Sequence, residues 1–556
     1  MRSASPRTLL GTASIAVALA AADTYVVVLA LPDMMTGVGI GIDALQRAAP
    51  IVSSFLLGYV AVLPLIGRVA DLVPRQRILL VCLGIFVTGS MVTASAVDLS
   101  VLVSGRVLQG IGGGGLVPAT LALVADLWPV GRRGTPLGVV GGVQELGSVL
   151  GPLLGALVLA VSDWRMIFWL NVVLGVVLGV AVVVTGGVRL RVRPVPVALL
   201  VVTVALGLLT LLAPQRLVTD VTLGVPFIPF HGESRVATPV GVAASVALVL
   251  FLVSTIRSWG TVLRRTDLVG AVCLAVALGS LVLTFSSADP QRQVVGPWGW
   301  WLVPVGVLAV LLSLWRHRVA ASPLVVRGLV RRRVIPALVV SLLVGCALVA
   351  VVVDVPLLAR LVLTDSQTTA ALVLVRFLVA VPVGAVAGGW VLRRCGPGLV
   401  AGIGLVAAAA GLFAMSRWSE GSLEQGSATV VLVLVGLGLG LAIAPVNDAA
   451  LADAPSDAHG MASALVVLAR MVGMVVGLAL LTAIGLHRFY AAVRALPDPQ
   501  ATGAMVGAGV VQVQTVFLGA SIAAFAAAVV ALALGVRRRG RGLPAGEGPA
   551  LVTGAL

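Results

Sequence analysis

The chain has 556 residues, of which 60% are hydrophobic and 10% charged, and its formal net charge is +16. Soluble domains carry about 25% charged residues. Here 37 basic and 21 acidic side chains cannot coat the several domains that such a length would need, so a soluble enzyme is excluded. All the basic residues are Arg, and they fall between apolar runs rather than along one face, which excludes a nucleic-acid surface.

A membrane span needs roughly 20 mostly apolar residues. In chain order, apolar segments lie at 9–31, 50–66, 78–97, 100–124, 136–160 and 165–185. A central group follows at 195–213, 240–256, 268–286 and 299–315. The last group is 335–357, 369–391, 398–416, 428–447, 459–486 and 512–536. The pattern predicts an all-α integral membrane protein with 14–16 spans, two of the segments being short. It divides into an N-terminal six-helix bundle (1–187), a central linker with about four extra spans (188–333), a C-terminal six-helix bundle (334–536) and a basic cytoplasmic tail (537–556).

Arginine placement orients the chain by the positive-inside rule. With the N-terminus inside, the inner loops hold 25 arginines, the outer loops nine, and three lie within spans. Both termini are therefore expected on the cytoplasmic side of a multi-pass protein of the plasma membrane. The first apolar run continues through TYVVVLALP and reads as a span rather than a cleaved signal. Cys82, Cys273, Cys346 and Cys395 sit in or beside apolar runs and read as small hydrophobes.

Several function classes fall away on motif grounds. With no Lys there is no P-loop GxxxxGK[ST], so a lone ATP-driven pump is excluded. The four His residues are scattered and form no HExxH, and no short re-entrant filter marks a channel. The Gly-rich runs GIGGGGLVP and GLGLGLAIAP lie inside apolar spans, where small residues let helices approach closely. No cofactor is expected, and a proton gradient is the remaining energy source.

Charges at bilayer depth are costly, about 2.5–3.5 kcal/mol each, and face cavities or partners. Asp23, Arg106, Glu145, Arg376 and Arg470 are the candidates. At 1.5 Å per residue, Asp23 and Arg106 lie at one level and Glu145 and Arg470 at another, which predicts the pairs Asp23–Arg106 and Glu145–Arg470. Such a carboxylate can carry a proton, and a static ion pair is the bland alternative. The stretch from His459 to about Pro497 is either one overlong helix or two pieces broken near Gly485. The second spans of the two bundles end alike, in GRVADLVPRQR (Gly67–Arg77) and GWVLRRCGPG (Gly389–Gly398), so Arg393 stands in the second copy where Asp71 stands in the first. That repeat suggests internal duplication.

These residues carry a resemblance. GRVADLVPRQR resembles the loop between helices two and three of the major facilitator superfamily, LVSGRVLQGIGGG its fourth helix, and GSVLGPLLGA the fifth-helix signature of the drug:proton antiporter branch. AADTYVVV, VQELGSVLGP, LVAVPVGAVAGGW and HGMASALVVLARMVGM are similar to the mycobacterial triacylglyceride exporters of that superfamily. The resemblance implies a proton-coupled secondary exporter of a triacylglyceride or related lipid. The alternative is a multidrug/proton antiporter for amphipathic drugs or dyes. It further implies proton coupling at Asp23, Glu145 and Arg470, cavity or scaffold roles for Arg106 and Gln109, and a gating loop at Gly67, Asp71 and Arg75, whereas Arg376 has no counterpart in the family pattern and is expected as a cavity or scaffold charge from its depth alone. The helix-five signature falls on Gly147, Gly151, Pro152 and Gly155. A periplasmic lipoprotein is implied as a partner. The chain departs from the pattern at Pro74 and Gln76, which replace Gly and Lys, and in the short loop Arg417–Ser427, where an insertion is expected.

Overall fold

The computed structural model describes residues 5–40, 45–187, 194–213, 225–228, 238–286, 299–330, 332–363, 367–495 and 502–535. The tail at 537–556 and most of the loop at 214–237 lie outside them. Among the described residues there are sixteen α-helices and no strands. The first bundle comprises α1 (Pro6–Gly37), α2 (Leu45–Leu72), α3 (Arg75–Ala94), α4 (Leu99–Leu127), α5 (Gly134–Val161) and α6 (Arg165–Gly186). The central group is α7 (Pro194–Leu212), α8 (Pro239–Arg264), α9 (Leu268–Ser286) and α10 (Gly299–Val319). The second bundle comprises α11 (Val334–Val362), α12 (Gln367–Val391), α13 (Pro397–Met415), α14 (Gly426–Asp453), α15 (His459–Arg494) and α16 (Thr502–Ala531). Fourteen helices are long and apolar enough to cross a membrane, while α8 and α9 carry shorter apolar stretches at Pro239–Thr255 and Leu268–Thr284.

Local chemistry sets the helix ends. Ser5 caps α1 by accepting from Thr8 N at 3.3 Å, with Pro6 at the first helical position. Asp98 caps α4 through Val101 N at 2.9 Å. Gly187, with φ of 60°, terminates α6. The Gly run of α4 lets the helix wedge between neighbours: a Cβ on Gly110 or Gly114 would run into the backbone of α2, and one on Gly112 into that of α3. The fifth-helix signature does the same toward α1, since Cβ atoms on Gly147 and Gly151 would meet the carbonyls of Ala18 and Ala22. Gly155 continues that face, and Pro152 is half-buried within the helix.

The central helices form two hairpins. The α7–α8 pair stands largely apart from the bundles, whereas α9–α10 packs on α2, with Gly279 against Leu57. Asp267 caps α9 through Gly270 N and also accepts from Arg316 Nε of α10, both at 3.0 Å. The stretch past Pro497 lies outside the described residues, but α15 runs unbroken for 36 residues through a buried Gly485. A side chain there would meet Val516 and Gln512 of α16, so the glycine marks a close helix approach and not a kink.

Candidate functional site

Two polar sites emerge, one inside the first bundle and one between the bundles. Asp23 on α1 is 1% exposed, and its carboxylate is saturated with donors. Arg106 Nη1 donates to Oδ2 at 2.5 Å, while Asn171 Nδ2 of α6 and Gln109 Nε2 donate to Oδ1 at 2.5 and 3.2 Å. Gln109 also accepts from Arg106 Nη1 at 2.9 Å and from Thr93 at 3.2 Å, and donates to Ser90 at 2.9 Å. The Arg106 guanidinium lies 4.5 Å from the centre of the Phe55 ring. Five helices thus meet on one ionic centre, because a buried charge is tolerated only when paired and hydrogen-bonded.

The second site joins the bundles. Arg470 Nη1 of α15 donates to Glu145 Oε1 of α5 at 3.1 Å. This pair lies between two recesses of about 460 and 610 Å³ that share Val117, Gln144 and Arg470. The smaller reaches toward the Asp71 end of the molecule, lined by Leu121, Val140, Ser341, Val344, Val466 and Asn447. The larger opens the other way and is lined mostly by Val17, Ala20, Tyr25, Phe55, Tyr59, Leu348, Met471 and Met474.

At the Asp71 end the bundles are fastened together. Asp71 Oδ1 accepts from Gly460 N at 2.6 Å and Oδ2 from Met461 N at 3.0 Å, so a carboxylate of α2 caps the first turn of α15. Arg75 steadies it at 3.2 Å and also binds Asp126 Oδ2 of α4 at 3.1 Å. Gly67 faces Ala464 and Gly460 too closely for any side chain. In the loop before α5, Arg133 closes the end of α4 by donating to Trp128 O at 2.9 Å and Ala125 O at 2.6 Å. Burial pulls its guanidinium below the ordinary value, opposed by Asp448 and Asp126.

The close approaches between α5 and α12 involve Gly134, Gly138 and Gly142, all near this same end. Beyond them α5 presents exposed Leu146, Leu150, Leu153 and Leu157. The bundles therefore meet at the Asp71 end, with the larger recess beyond.

The structure thus brings Asp23, Arg106 and Gln109 into one cluster, Glu145 and Arg470 into another, and Gly67, Asp71 and Arg75 into the latch. Arg376 joins none of them. It is exposed on α12 and donates to Thr429 Oγ1 of α14 at 2.8 Å, because its helix turns that face away from the recesses. Sequence reasoning did not find Asn171, Ser90 and Thr93, whose uncharged side chains leave no mark on hydropathy. It also passed over Asp354, a buried acid near the end of the apolar run of α11.

Two six-helix bundles joined by extra spans, with an acid of one bundle capping a helix of the other across the seam, define a membrane transporter rather than an enzyme. The chain belongs to the major facilitator superfamily, whose description it matches over residues 13–315. It is 36% identical over 510 residues to the triacylglyceride transporter of Mycobacteroides abscessus, covering 89% of this chain and 85% of that protein. It is likewise 36% identical to the triacylglyceride transporter of Mycolicibacterium smegmatis, over 86% of this chain and 75% of the relative. Among solved structures, a proton:xylose symporter bound to 6-bromo-6-deoxy-D-glucose superposes with a TM-score of 0.55 at 14% identity, covering 93% of this chain and 94% of that one. A human organic anion transporter gives a TM-score of 0.55 at 14% identity, covering 95% and 99%. These two likenesses concern the fold alone.

Proposed function

We propose that the protein is a proton-coupled secondary exporter of a lipophilic substrate, a triacylglyceride or related lipid. It works across the plasma membrane by alternating access, with both termini and the Asp71 end cytoplasmic. The observation that carries this reading is the Glu145–Arg470 pair, an acid of one bundle and a base of the other meeting in the wall of an apolar recess. A proton on Glu145 removes the charge that holds Arg470, so proton binding and the inter-bundle contact compete. A ligand or proton shifts a conformational equilibrium only through such a differential interaction. The apolar lining around Phe55, Leu348 and Met474 suits a substrate without charge, and the names of the relatives point to the same class. The gradient replaces any cofactor. No feature of the described residues argues for a periplasmic lipoprotein, and that partner forms no part of the proposal.

The test compares cells deleted for the gene, complemented with wild type, and complemented with Glu145→Gln. Intracellular triacylglyceride is expected to rise on deletion and to return to normal only with the wild type. Unchanged lipid pools with altered retention of a cationic dye would overturn the lipid reading in favour of a multidrug/proton antiporter.

A further inference from the structure

Among the described residues, the buried acids of the helices are answered by donors, with one exception. Asp23 receives three side-chain donors, Glu145 receives Arg470, and Asp71 receives two backbone N–H groups and Arg75. Asp354 on α11 is 3% exposed, its Oδ2 is buried without a hydrogen-bond partner, and among the described residues no group bonds to it. It sits 20 residues after Val334, about 30 Å along the helix, in the half of the second bundle away from the Asp71 end.

The charged groups of the surrounding helices are committed elsewhere. On α15, Arg470 is held by Glu145, and His487, Arg488 and Arg494 are exposed toward the far end. On α12, Arg376 is exposed and bonded to Thr429, and Arg360 of α11 itself is exposed. On α14 the acids Asp448 and Asp453 lie at the opposite end, and the described side chains of α16 carry no charge. Its helix neighbours Val351, Val355 and Leu358 belong to the buried hydrophobic core of the second bundle. An ionised carboxylate cannot be left so; in an apolar site an isolated acid neutralises instead.

We propose that Asp354 is a second proton-binding site, in the C-terminal bundle, occupied in the state described here and emptied when α11 shifts against its neighbours. The step is a simple protonation: the proton enters on a carboxylate oxygen and leaves from it, with no other bond changed. The part this site plays in transport rests on the proton-coupled reading above, whereas proton binding itself does not. Helix α11 packs closely on α15, with Gly473 against Leu342 and Gly477 against Cys346, so a displacement of either helix changes the surroundings of Asp354.

Two measurements on the full-length protein test this. Infrared spectra of the reconstituted protein at neutral pH are expected to show a protonated-carboxyl band that Asp354→Asn loses and Asp354→Glu shifts; an unchanged band in both variants overturns the site. In proteoliposomes, transfer of a fluorescent triacylglyceride analogue is measured with and without a pH gradient. The ratio of the two rates is expected to be well above one for wild type, about one for Asp354→Asn, and restored with a displaced pH profile in Asp354→Glu. An Asn variant with the wild-type ratio overturns the coupling role. A ratio of one in the wild type overturns proton coupling itself, and the infrared band then still decides whether Asp354 holds a proton. Thermal unfolding checks that each variant folds, and if Asp354→Asn does not, Asp354→Glu carries both tests: a band and pH profile identical to wild type overturn the proposal.

Discussion

The two seams between the bundles are built on one plan and finished differently. Where α2 meets α15, Gly67 and Gly460 face each other; where α12 meets α5, Gly389 and Gly134 do so. In each pair a Cβ on one glycine would strike the carbonyl of the other. Four residues further along, α2 carries Asp71, which reaches across to cap α15, whereas the turn after α12 carries Arg393, whose positive charge cannot serve a helix N-terminus. Helix α5 begins with no side-chain cap, and Thr135 instead donates to Gly389 O at 3.4 Å. One seam is thus held by close packing plus a charge-assisted latch, the other by close packing and a long hydroxyl–carbonyl hydrogen bond. Packing sets how near the bundles can come; the latch sets how strongly they stay.

Filling the glycine seam should have the largest effect. Gly389→Val places a side chain against the backbone of α5, which cannot rotate away, and overpacking of this kind costs about 1–3 kcal/mol or more. Transport is expected to fall more than tenfold in the lipid-transfer assay, with spin labels on α5 and α12 reporting a wider separation. Closure with an unchanged distance would mean that the seam is not tight. Removing the latch comes next. Asp71→Ala deletes a cap worth about 1–2 kcal/mol, a shift of roughly fivefold to thirtyfold in the closed population. Asp71→Asn, which can still cap but loses the charge toward Arg75, should shift it less. Distances between labels at the ends of α2 and α15 check both, and equal shifts would show that capping is irrelevant. The smallest effect is expected from making the seams alike: Arg393→Asp offers α5 the missing carboxylate, worth about 0.3–1 kcal/mol, and should slow transport about twofold by overholding the closed end.

Most of the architecture was legible because hydrocarbon imposes a simple code. The predicted segment 268–286 coincides with α9, and those at 100–124 and 165–185 differ from α4 and α6 by a few residues. The predicted break at Gly485 was an even choice in the sequence, since glycine at a kink and glycine under a neighbouring helix look alike. The ion pairs could be read because a charge at bilayer depth demands an answer and rise per residue gives the level. Arg376 shows the limit: depth was readable, but the rotation of α12 that carries it outward was not. The hydroxyl and amide partners of Gln109 and Asp23 were hidden for another reason, as such side chains enter spans at little cost. Nor could 65 glycines announce which four would meet across the seams.

The unbroken length of α15 has a mechanical meaning. Its 36 residues make a rod about 54 Å long, gripped in its first turn by Asp71 and held again at Arg470, about 16 Å along. About 36 Å of stiff helix then extends past that second hold, ending near the edge-to-face rings of Phe489 and Tyr490. A tilt of about 10° around Arg470 would carry that tip sideways by about 6 Å. The Glu145–Arg470 ion pair therefore stands where a fulcrum would stand on a rod of that length.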